Sequence, residues 1–220
     1  MKILITGAGG LVGSHLARTL ASGHQVLALK HRDLDITDAH AVKRLARDEQ
    51  PLLIINCAVI GVDECEQHPA LAQAVNIDGP RLLAEASAEI GAEFLHFSSN
   101  YVFDGARLDG VPYTMDDEPR PINVYGRTKL EGERLACSIS SRTYIIRTSW
   151  VFGQGKANFL STAHERLRRG LSVRAITDRW ANTTFVAESG RAHKRDTGSP
   201  PLRCLPDRER GDVLVSRFRC

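Results

Sequence analysis

The chain has 220 residues, of which 42% are hydrophobic and 25% are charged, and its formal net charge is +3. This length can bury one sizeable hydrophobic core and leaves room for a small additional lobe. The mild charge does not favour a nucleic-acid partner, and no apolar run approaches the roughly 20 residues that a membrane-spanning helix needs. The five cysteines include no C-x-x-C pair, which argues against a disulfide framework or a structural zinc site. We also see no secretory signal after Met1, so the expectation is a cytoplasmic protein without a metal ion.

Short apolar runs alternate with amphipathic stretches through most of the chain. In chain order, the pattern predicts strand 2–6, helix 10–21, strand 25–29, helix 38–48, strand 52–57, helix 69–90, strand 93–97, helix 121–137, strand 143–147 and helix 158–169. Thr37 is the expected N-cap of the second helix. This alternation predicts an α/β fold with a doubly wound, Rossmann-like parallel sheet. The segment 104–121 is expected to be a long loop of the kind that carries function.

A glycine-rich loop follows the first strand and opens the first helix. Gly7, Gly10 and Gly13 permit a tight turn and a close approach of the backbone to a pyrophosphate. The helix N-terminus then supplies unpaired N–H groups and a partial positive charge for the phosphates. A glycine-rich turn without a ligand is the alternative interpretation, but the position at the first strand–helix junction favours a dinucleotide site.

The end of the second strand bears on which dinucleotide is bound. A carboxylate there would hydrogen-bond the ribose of NAD and repel a 2′-phosphate. Lys30, followed by His31 and Arg32, occupies that place in this chain. A cationic cluster suits the extra phosphate of NADP, although basic residues are also common at solvated strand ends. The sequence therefore predicts NADP(H), with NAD(H) as the alternative, and Asp35-Ile36 lies where a carboxylate can meet the adenine amino group.

Tyr125 and Lys129 are four residues apart in a predicted helix and therefore share one of its faces. A free tyrosine has a pKa of about 10, and a nearby ammonium group is expected to lower it. Ser98 and Ser99 end the preceding strand, where a hydroxyl can fix a substrate carbonyl. The Tyr-x-x-x-Lys pattern also occurs by chance on surface helices, but the glycine loop and the serines favour a catalytic set. His96, between apolar neighbours on the same strand, is interpreted as a core histidine rather than a ligand.

These residues resemble the extended short-chain dehydrogenase/reductases, and most closely the dTDP-4-dehydrorhamnose reductase family. The motifs that carry the resemblance lie at 34–38, 62–63 with 66, 71–76, 98–105, 112–113, 123–129 and 147–153. Together they cover about residues 1–190, and the resemblance is specific because separate motifs keep the family's order. The family usually has Thr-Asp where this chain has Ser99-Asn100. Serine keeps the hydroxyl, whereas Asn100 removes a negative charge close to the expected sugar.

The resemblance implies an NADPH-dependent reduction of dTDP-4-dehydro-L-rhamnose, a 4-keto sugar nucleotide, to dTDP-L-rhamnose. NADPH would deliver hydride to the carbonyl carbon while Tyr125 protonates the oxygen. The residues expected to contact the sugar are Ser99, Asn100 and Trp150, although a core position for Trp150 is the alternative. Those expected to line the cofactor are Gly10, Leu11, Val12, Asp35, Ile36, Ala58, Val59, Ile60, Phe97, Tyr125 and Lys129. The long loop and the helix faces are compatible with a homodimer.

The resemblance also implies a division of the chain. Residues 1–150 are expected to form the dinucleotide-binding domain with the catalytic residues, and 151–190 the start of a truncated substrate lobe. Beyond about residue 190 the apolar periodicity fades, so 191–220 are expected to form a poorly ordered tail in which only 213–215 can make a strand. The hypothesis for this change is a frameshifted or truncated gene, which would impair turnover. The alternatives for function are a non-catalytic NADP-binding regulatory subunit and a sugar-nucleotide epimerase or dehydratase of the same superfamily.

Overall fold

The computed structural model describes residues 1–107, 111–155, 157–175, 182–187 and 216–219. The strands are β1 (Lys2–Thr6), β2 (Gln25–Leu29), β3 (Leu53–Asn56), β4 (Glu93–Ser99), β5 (Thr143–Thr148), β6 (Val151–Phe152), β7 (Thr184–Phe185) and β8 (Ser216–Arg219). The helices are α1 (Leu11–Leu20), α2 (Ala39–Glu49), α3 (Val62–Gln67), α4 (Pro69–Gln73), α5 (Gly79–Glu89), α6 (Val124–Ile139) and α7 (Phe159–Arg168). A π-helical turn at Ala74–Asp78 joins α4 to α5, and a 3-10 turn at Asn100–Val102 follows β4.

One six-stranded sheet organises the chain, with the strand order β2-β1-β3-β4-β5-β8. The first five strands are parallel, and the backbone of β8 pairs antiparallel with β5 at the edge. The expected α/β, Rossmann-like sheet is therefore confirmed. The strand order reverses between β1 and β3, and ligands of such sheets bind outside the carboxyl ends of the strands at this switch point. We therefore expect the loops after β1, β3 and β4 to form the site.

Both faces of the sheet are buried, which explains why the strands read as nearly continuous apolar runs. Leu4, Ile54 and Phe94 point to the face covered by α2, α5 and α6. Ile3, Ile5, Leu53, Ile55 and Leu95 point to the opposite face, where Leu16 and Leu20 of α1 pack. Because consecutive side chains of a strand alternate between faces, this assignment also fixes the register of β1, β3 and β4.

Two expectations about helix ends and continuity are corrected. The N-cap of α2 is Asp38 rather than Thr37, because the Asp38 carboxylate accepts hydrogen bonds from the backbone N–H groups of His40 (2.9 Å) and Ala41 (3.0 Å). The predicted helix 69–90 is interrupted by the π-helical turn at Ala74–Asp78. Pro80 follows this turn and has no N–H to donate to the preceding turn, which favours a local change in hydrogen-bond register.

The backbone of β8 belongs to the sheet, which corrects the expectation that only 213–215 can make a strand in the tail. The other described residues after β5 make few contacts with the sheet. Val151 pairs with Thr184 and Phe152 with Phe185 in a two-stranded parallel ribbon, while no residue of α7 is buried. Residues 191–215 and 220, which include the expected strand 213–215, lie outside the described residues. In the described part of the chain, no helix is long and apolar enough to cross a membrane.

The cysteines differ in state. Cys57 and Cys65 are free thiols, whereas Cys137 is disulfide-bonded. The argument from spacing against a disulfide framework therefore does not extend to Cys137, because sequence spacing does not report which cysteines approach within bonding distance.

Candidate active site

The glycine loop forms a tight backbone cradle at the carboxyl end of β1. Gly7 has φ +68°, a left-handed conformation that side chains rarely adopt, and a β-carbon there would overlap the backbone of Cys57 and Ala58. A β-carbon on Gly13 would overlap the Gly7 carbonyl, so α1 lies directly against the loop. Gly10 is the N-cap of α1, no side chain caps the helix, and its first turn carries no acidic residue. These features leave N–H groups and a positive helix end facing the switch point.

The basic residues after β2 lie beside this cradle. The Lys30 stem passes over Gly9, since a β-carbon on Gly9 would lie 3.7 Å from Lys30 Cγ. The Lys30 backbone N–H donates to Asp33 (2.9 Å), which fixes the turn, and Lys30, His31 and Arg32 are all solvent-exposed. The structure therefore brings Lys30, the first residue of the predicted cationic cluster, next to the glycine loop.

Asp35 and Ile36 follow in the same loop, but the Asp35 side chain is exposed whereas the Ile36 side chain is buried. One Asp35 oxygen accepts from the Thr37 backbone (2.9 Å) and the Thr37 hydroxyl (2.8 Å), and these bonds hold the pKa of Asp35 below its usual value. Asp35 is therefore an exposed carboxylate that is ionised at neutral pH. Ile36 is buried beneath Gly79, so its side chain belongs to the core and only its backbone faces the loop.

The loop after β3 faces the glycine cradle from the other side of the switch point. The Ala58 N–H donates to the Asn56 side-chain oxygen (3.0 Å), and the Ile60 N–H donates to the Asn76 side-chain oxygen (3.3 Å). Val59, between them, is exposed. The two asparagines thus fix the backbone of the segment 58–60, which the resemblance assigns to the cofactor.

Tyr125 and Ser99 meet at the carboxyl end of β4. Asn123 caps α6 by accepting from the Gly126 N–H (2.7 Å), and the Tyr101 ring packs edge-on against the Tyr125 ring at 5.6 Å. Burial raises the pKa of Tyr125 to about 12, while a hydrogen bond with Ser99 opposes this rise. The expectation that Lys129 lowers the pKa of Tyr125 is not met in this arrangement. The desolvation of the phenol dominates, and the phenol is fully protonated at neutral pH.

The Lys129 side chain is buried at 1% exposure and points away from solvent. Its Nζ lies 2.7 Å from the Phe97 carbonyl oxygen, to which it donates, and 3.1 Å from His96 Nε2. Burial lowers the pKa of Lys129 to about 8. The interpretation of His96 as a core histidine with hydrogen-bond partners is confirmed, because the residue is fully buried and its other ring nitrogen lies 3.1 Å from the Asn56 amide nitrogen.

The residues expected to contact a sugar lie on the outer side of Ser99. The Ser99 hydroxyl lies 3.4 Å from the Asn100 side-chain oxygen and accepts from the Tyr101 N–H at 3.3 Å. Trp150 is 52% exposed and has φ +41°, and its ring packs edge-on against Phe159 at 6.3 Å. A core position for Trp150 is therefore wrong. A positive φ at a large residue is strained and is found mainly at functional positions.

The described part of the loop 104–121 is tied together by its own polar side chains. The Tyr113 hydroxyl donates to Asp104 (2.5 Å) and its ring stacks on Phe103 at 4.5 Å. The Arg107 guanidinium donates to both oxygens of Asp117 at 3.1 Å. These contacts make the loop an ordered wall beside the 3-10 turn that follows Ser99.

The sequence analysis assigned no role to the polar residues that support the site from below, although Glu66, Asn76 and Thr128 lie in the motifs that carry the resemblance. Asn56, Asn76 and Thr128 are buried, and the Asn76 amide donates to Cys65 and to the Thr128 hydroxyl at 3.3 Å each. Glu66 accepts from the Val124 N–H (2.7 Å) at the start of α6. Asn56 lies outside those motifs, and its signal is a polar residue at the end of an apolar strand. Among the described residues, no three His, Cys, Asp or Glu side chains converge to hold a metal ion.

The sheet, the glycine cradle at its switch point and the Tyr125/Lys129 pair define a Rossmann-like α/β protein with the site pattern of short-chain dehydrogenase/reductases. A family model described as the RmlD substrate binding domain matches residues 1–193. The chain belongs to this family, and the resemblance inferred from its motifs is confirmed.

Named relatives agree with this assignment. A dTDP-4-dehydrorhamnose reductase of Mycolicibacterium smegmatis is 40% identical over 190 residues, which are 85% of this chain and 57% of that protein. A solved dTDP-4-dehydrorhamnose reductase of Clostridium acetobutylicum is 36% identical with a TM-score of 0.83, covering 89% of this chain and 69% of its own. One from Bacillus anthracis, in complex with NADP, is 31% identical with a TM-score of 0.84, covering 88% and 69%. The chain spans about three fifths of the length of the curated relatives it matches.

Proposed function

We propose that this chain is an NADP(H)-dependent oxidoreductase that reduces the 4-keto group of dTDP-4-dehydro-L-rhamnose to give dTDP-L-rhamnose. The observation that carries the proposal is the meeting of Ser99 and Tyr125 at the carboxyl end of β4, beside the glycine cradle and above the buried Lys129. The names of the relatives and the NADP complex of one of them support the same reaction class.

The residues of the switch point fit a dinucleotide. The backbone cradle at Gly7 and Gly13 is closed to any side chain, which leaves its N–H groups for a pyrophosphate. Lys30, with its stem over the loop, supplies a cation for a 2′-phosphate, and this favours NADP(H) over NAD(H). When bound, the reduced nicotinamide supplies the hydride.

Tyr125 acts as the general acid. Its raised pKa keeps the proton on the phenol at neutral pH, so the hydroxyl can donate to a carbonyl oxygen as negative charge develops there. Ser99 donates a second hydrogen bond to the same oxygen and orients the carbonyl group. Their hydrogen bond to each other supports this assignment, because it brings the two hydroxyls close together.

The sugar is held by residues on the outer side of the serine. Asn100 offers an uncharged amide, and the exposed Trp150 offers an apolar ring face to a deoxyhexose. The strained backbone at Trp150 turns this ring toward solvent instead of toward the core.

The cellular setting and the assembly are part of the same proposal. We infer a cytoplasmic enzyme that acts on a small soluble sugar nucleotide and requires no nucleic acid or membrane. The long loop and the exposed helix faces are compatible with a homodimer, which sedimentation of the purified chain tests. Cell fractionation tests the cytoplasmic location.

The test is an assay of NADPH oxidation with dTDP-4-dehydro-L-rhamnose as substrate, run beside a direct measurement of NADPH binding. Tyr125→Phe is expected to keep NADPH binding and to lower turnover by about 10²–10⁴-fold, the usual contribution of a general acid. Tyr144→Phe, which removes a phenol hydroxyl at the opposite end of the sheet, is the matched control and should leave turnover unchanged. NADPH binding without oxidation by the native chain would instead support the regulatory-subunit alternative. Conversion of the sugar without net oxidation would support an epimerase.

The cofactor preference has its own test. Lys30→Glu places a carboxylate beside the glycine loop and is expected to weaken NADPH binding by about tenfold or more, because the 2′-phosphate is then repelled. The affinity for NADH, which lacks this phosphate, should change much less. Equal losses for both dinucleotides would contradict the assignment of Lys30.

A further inference from the structure

The 3-10 turn Asn100–Val102 lies directly on the first turns of α6. A β-carbon on Gly126 would overlap the backbone carbonyl group of Tyr101, so the two backbones approach more closely than a residue with a side chain would allow. Val102 is fully buried and packs with Leu130, one turn further along the helix. The turn and the start of the helix therefore form one packed unit at the carboxyl end of β4.

Tyr101, in the middle of this turn, contacts both residues that carry the proposed hydroxyl chemistry. Its backbone N–H donates to the Ser99 hydroxyl oxygen at 3.3 Å. Its ring packs against the Tyr125 ring with the centroids 5.6 Å apart and the planes at 85°, which is the edge-to-face arrangement that aromatic rings prefer. Ser99 and Tyr125 are also hydrogen-bonded to each other. The three residues thus form a closed set of contacts.

The backbone bond from Tyr101 limits how the Ser99 hydroxyl can be turned. A hydroxyl group has one hydrogen to donate and two lone pairs. Because one lone pair faces the Tyr101 N–H, the Ser99 hydrogen is directed to another acceptor. The Asn100 side-chain oxygen, 3.4 Å from Ser99 Oγ, lies near the limit of hydrogen-bond distance, so a substrate carbonyl oxygen at an ordinary distance is the better acceptor.

The ring contact restricts Tyr125 in the same way. Tyr125 lies in the first turn of α6 and is partly exposed, so the helix backbone alone leaves its side chain more than one rotamer. The Tyr101 ring lies against the phenol and hinders rotation about the bonds that aim the hydroxyl. A general acid has to lie within hydrogen-bond reach of the atom that it protonates, and a misplacement of about 1 Å can reduce a rate about 10²-fold.

A purely structural role fits the Tyr101 side chain less well. The turn is secured by a hydrophobic cluster to which Tyr101 does not belong. The members of this cluster are Val102, Phe103, Leu130 and Tyr113. Tyr101 itself is only partly buried. The turn therefore keeps its anchor without the Tyr101 ring, whereas the Tyr125 ring depends on it for the edge-to-face contact.

We propose that Tyr101 is a positioning residue for the reduction: its backbone N–H directs the Ser99 hydroxyl and its ring aligns the Tyr125 phenol, so that both hydroxyls meet at one substrate oxygen. Gly126 is the requirement of α6 for this arrangement, because it lets the Tyr101 backbone come close enough for both contacts. Tyr101 itself transfers neither the proton nor the hydride. The inference rests on the proposed function, since Tyr101 acts through Ser99 and Tyr125.

The first test compares Tyr101→Phe and Tyr101→Leu in the full chain, by steady-state NADPH oxidation with dTDP-4-dehydro-L-rhamnose and by NADPH binding. Tyr101→Phe keeps the ring and should keep kcat within about twofold of the native value. Tyr101→Leu removes the ring and should lower kcat about tenfold or more, with the KM for the sugar and the affinity for NADPH unchanged. Tyr144→Leu, the same substitution at a partly buried tyrosine of β5, is the control and should leave kcat unchanged.

Three outcomes of this comparison overturn the proposal. A raised KM in Tyr101→Leu with an unchanged kcat would show that Tyr101 binds the sugar instead of aligning Tyr125. An equal loss of kcat in Tyr101→Phe would assign the effect to the Tyr101 hydroxyl. Native kinetics in both variants would show that the ring contact has no role in the reaction.

The second test acts on the close approach of the backbones. Gly126→Ala pushes the turn away from α6, weakens both contacts of Tyr101 and should lower kcat about tenfold or more. Gly132→Ala, the same change on the same helix, is the control: its β-carbon would overlap the Asn76 carbonyl instead of the turn, so it should lower thermal stability without lowering kcat. Equal losses of kcat in the two variants would show a general effect of packing in α6 and contradict the role of Gly126.

The alignment of Tyr125 also has a readout that needs no turnover. In the tyrosine-labelled full chain, the NMR signals of the Tyr125 ring are assigned by their loss in Tyr125→Phe. They should show nuclear Overhauser contacts to the Tyr101 ring, and they should shift and broaden in Tyr101→Leu as the phenol samples further rotamers. Native Tyr125 signals in Tyr101→Leu would mean that the ring is held by other contacts, which overturns the proposal.

This readout separates the two proposals. If the native chain binds NADPH without oxidising it, the proposed reduction fails, while the Tyr125 signals still decide whether Tyr101 aligns the phenol. If the native chain reduces the sugar and Tyr101→Leu has native kinetics, the reduction stands and the role of Tyr101 fails.

Discussion

Helices α6 and α7 begin in the same way but end in different surroundings. Each starts at an asparagine whose side chain accepts from a backbone N–H of the first turn, Asn123 for α6 and Asn158 for α7. The buried residues of α6 are Gly126, Thr128, Lys129, Leu130, Gly132, Glu133 and Ala136, whereas α7 buries none. Local sequence chemistry therefore forms both helices, but only packing against the sheet gives α6 a fixed position from which Tyr125 and Lys129 can act.

The largest expected effect tests the ion pair that anchors α6 to β5. Arg147→Met leaves the Glu133 carboxylate buried and without its strongest donor, and should lower the free energy of unfolding by about 3–5 kcal/mol. Arg169→Met removes the exposed partner of Glu165 at the end of α7 and should cost only about 0.3–0.5 kcal/mol. Urea denaturation measures both.

A double variant serves as the control for this ion pair. Arg147→Met combined with Glu133→Leu removes both charges, and most of the lost stability should return. If the double variant were as unstable as Arg147→Met, lost packing rather than an uncompensated charge would be the cause.

Lys129→Met tests how much the buried Lys129 ammonium group lowers the free energy of unfolding. Because burial lowers the pKa of Lys129 to about 8, the unfolded chain binds this proton more tightly than the folded protein does. Below pH 8, the burial of Lys129 therefore lowers the free energy of unfolding by its full amount. This loss shrinks as the pH rises from about 8 towards the pKa of the lysine in the unfolded chain. Lys129→Met should be more stable than the native chain by about 2 kcal/mol at pH 7, and inactive.

The difference between the two chains should shrink between pH 8 and pH 10. Thermal or urea unfolding of both, measured at several pH values, checks this trend. A gap that stays constant between pH 8 and pH 10 would mean that Lys129 remains protonated in the folded protein over this range, against the lowered pKa.

The two helix caps give a matched comparison of intermediate size. Asn123→Ala removes the acceptor for the Gly126 N–H and should reduce the free energy of unfolding by about 1 kcal/mol. Asn158→Ala removes the same kind of bond, to the Ser161 N–H, but from a helix with no buried residue. Its effect should appear as faster amide hydrogen exchange within α7, with little change in global unfolding. Equal global losses would show that α7 is coupled to the sheet more strongly than its burial indicates.

The smallest expected effect belongs to the exposed side of α7. Leu167 is 62% exposed, so Leu167→Gln should change the free energy of unfolding by less than about 0.5 kcal/mol. The matched change in α6, Leu130→Gln, buries an amide in place of an apolar side chain and should cost about 2 kcal/mol or more. Comparable losses for the two variants, measured by urea denaturation, would contradict the difference in packing between the helices.

Much of the fold followed from patterns that act over a few residues. The alternation of apolar strands and amphipathic helices predicted most elements up to residue 169 and the parallel sheet, but it missed α3 and β6. It failed at the π-helical turn before Pro80 and at the cap of α2, because both depend on which of several neighbouring polar groups takes a backbone hydrogen bond. The division of the chain at residues 150 and 190 stays a prediction.

For the site, too, local patterns predicted some features, whereas others depend on tertiary contacts. Spacing alone placed Tyr125 and Lys129 on one helix face, and the order of motifs identified the family. The sequence did not predict three further features, because each depends on contacts between distant segments. They are the exposure of Trp150, the burial of the Ile36 side chain and the direction of the Tyr125 pKa shift.

The sequence by itself determined the family, the order of the elements and which side chains carry the chemistry, since these follow from residue type and spacing. Only the tertiary structure decided how that chemistry is tuned. Thr6, Asn56, His96 and Lys129 lie as many as 123 residues apart, yet they form one buried row because parallel strands in register and a helix packed on the sheet bring them within hydrogen-bond distance. Burial in that row, which no local pattern encodes, sets the proton affinity of the lysine.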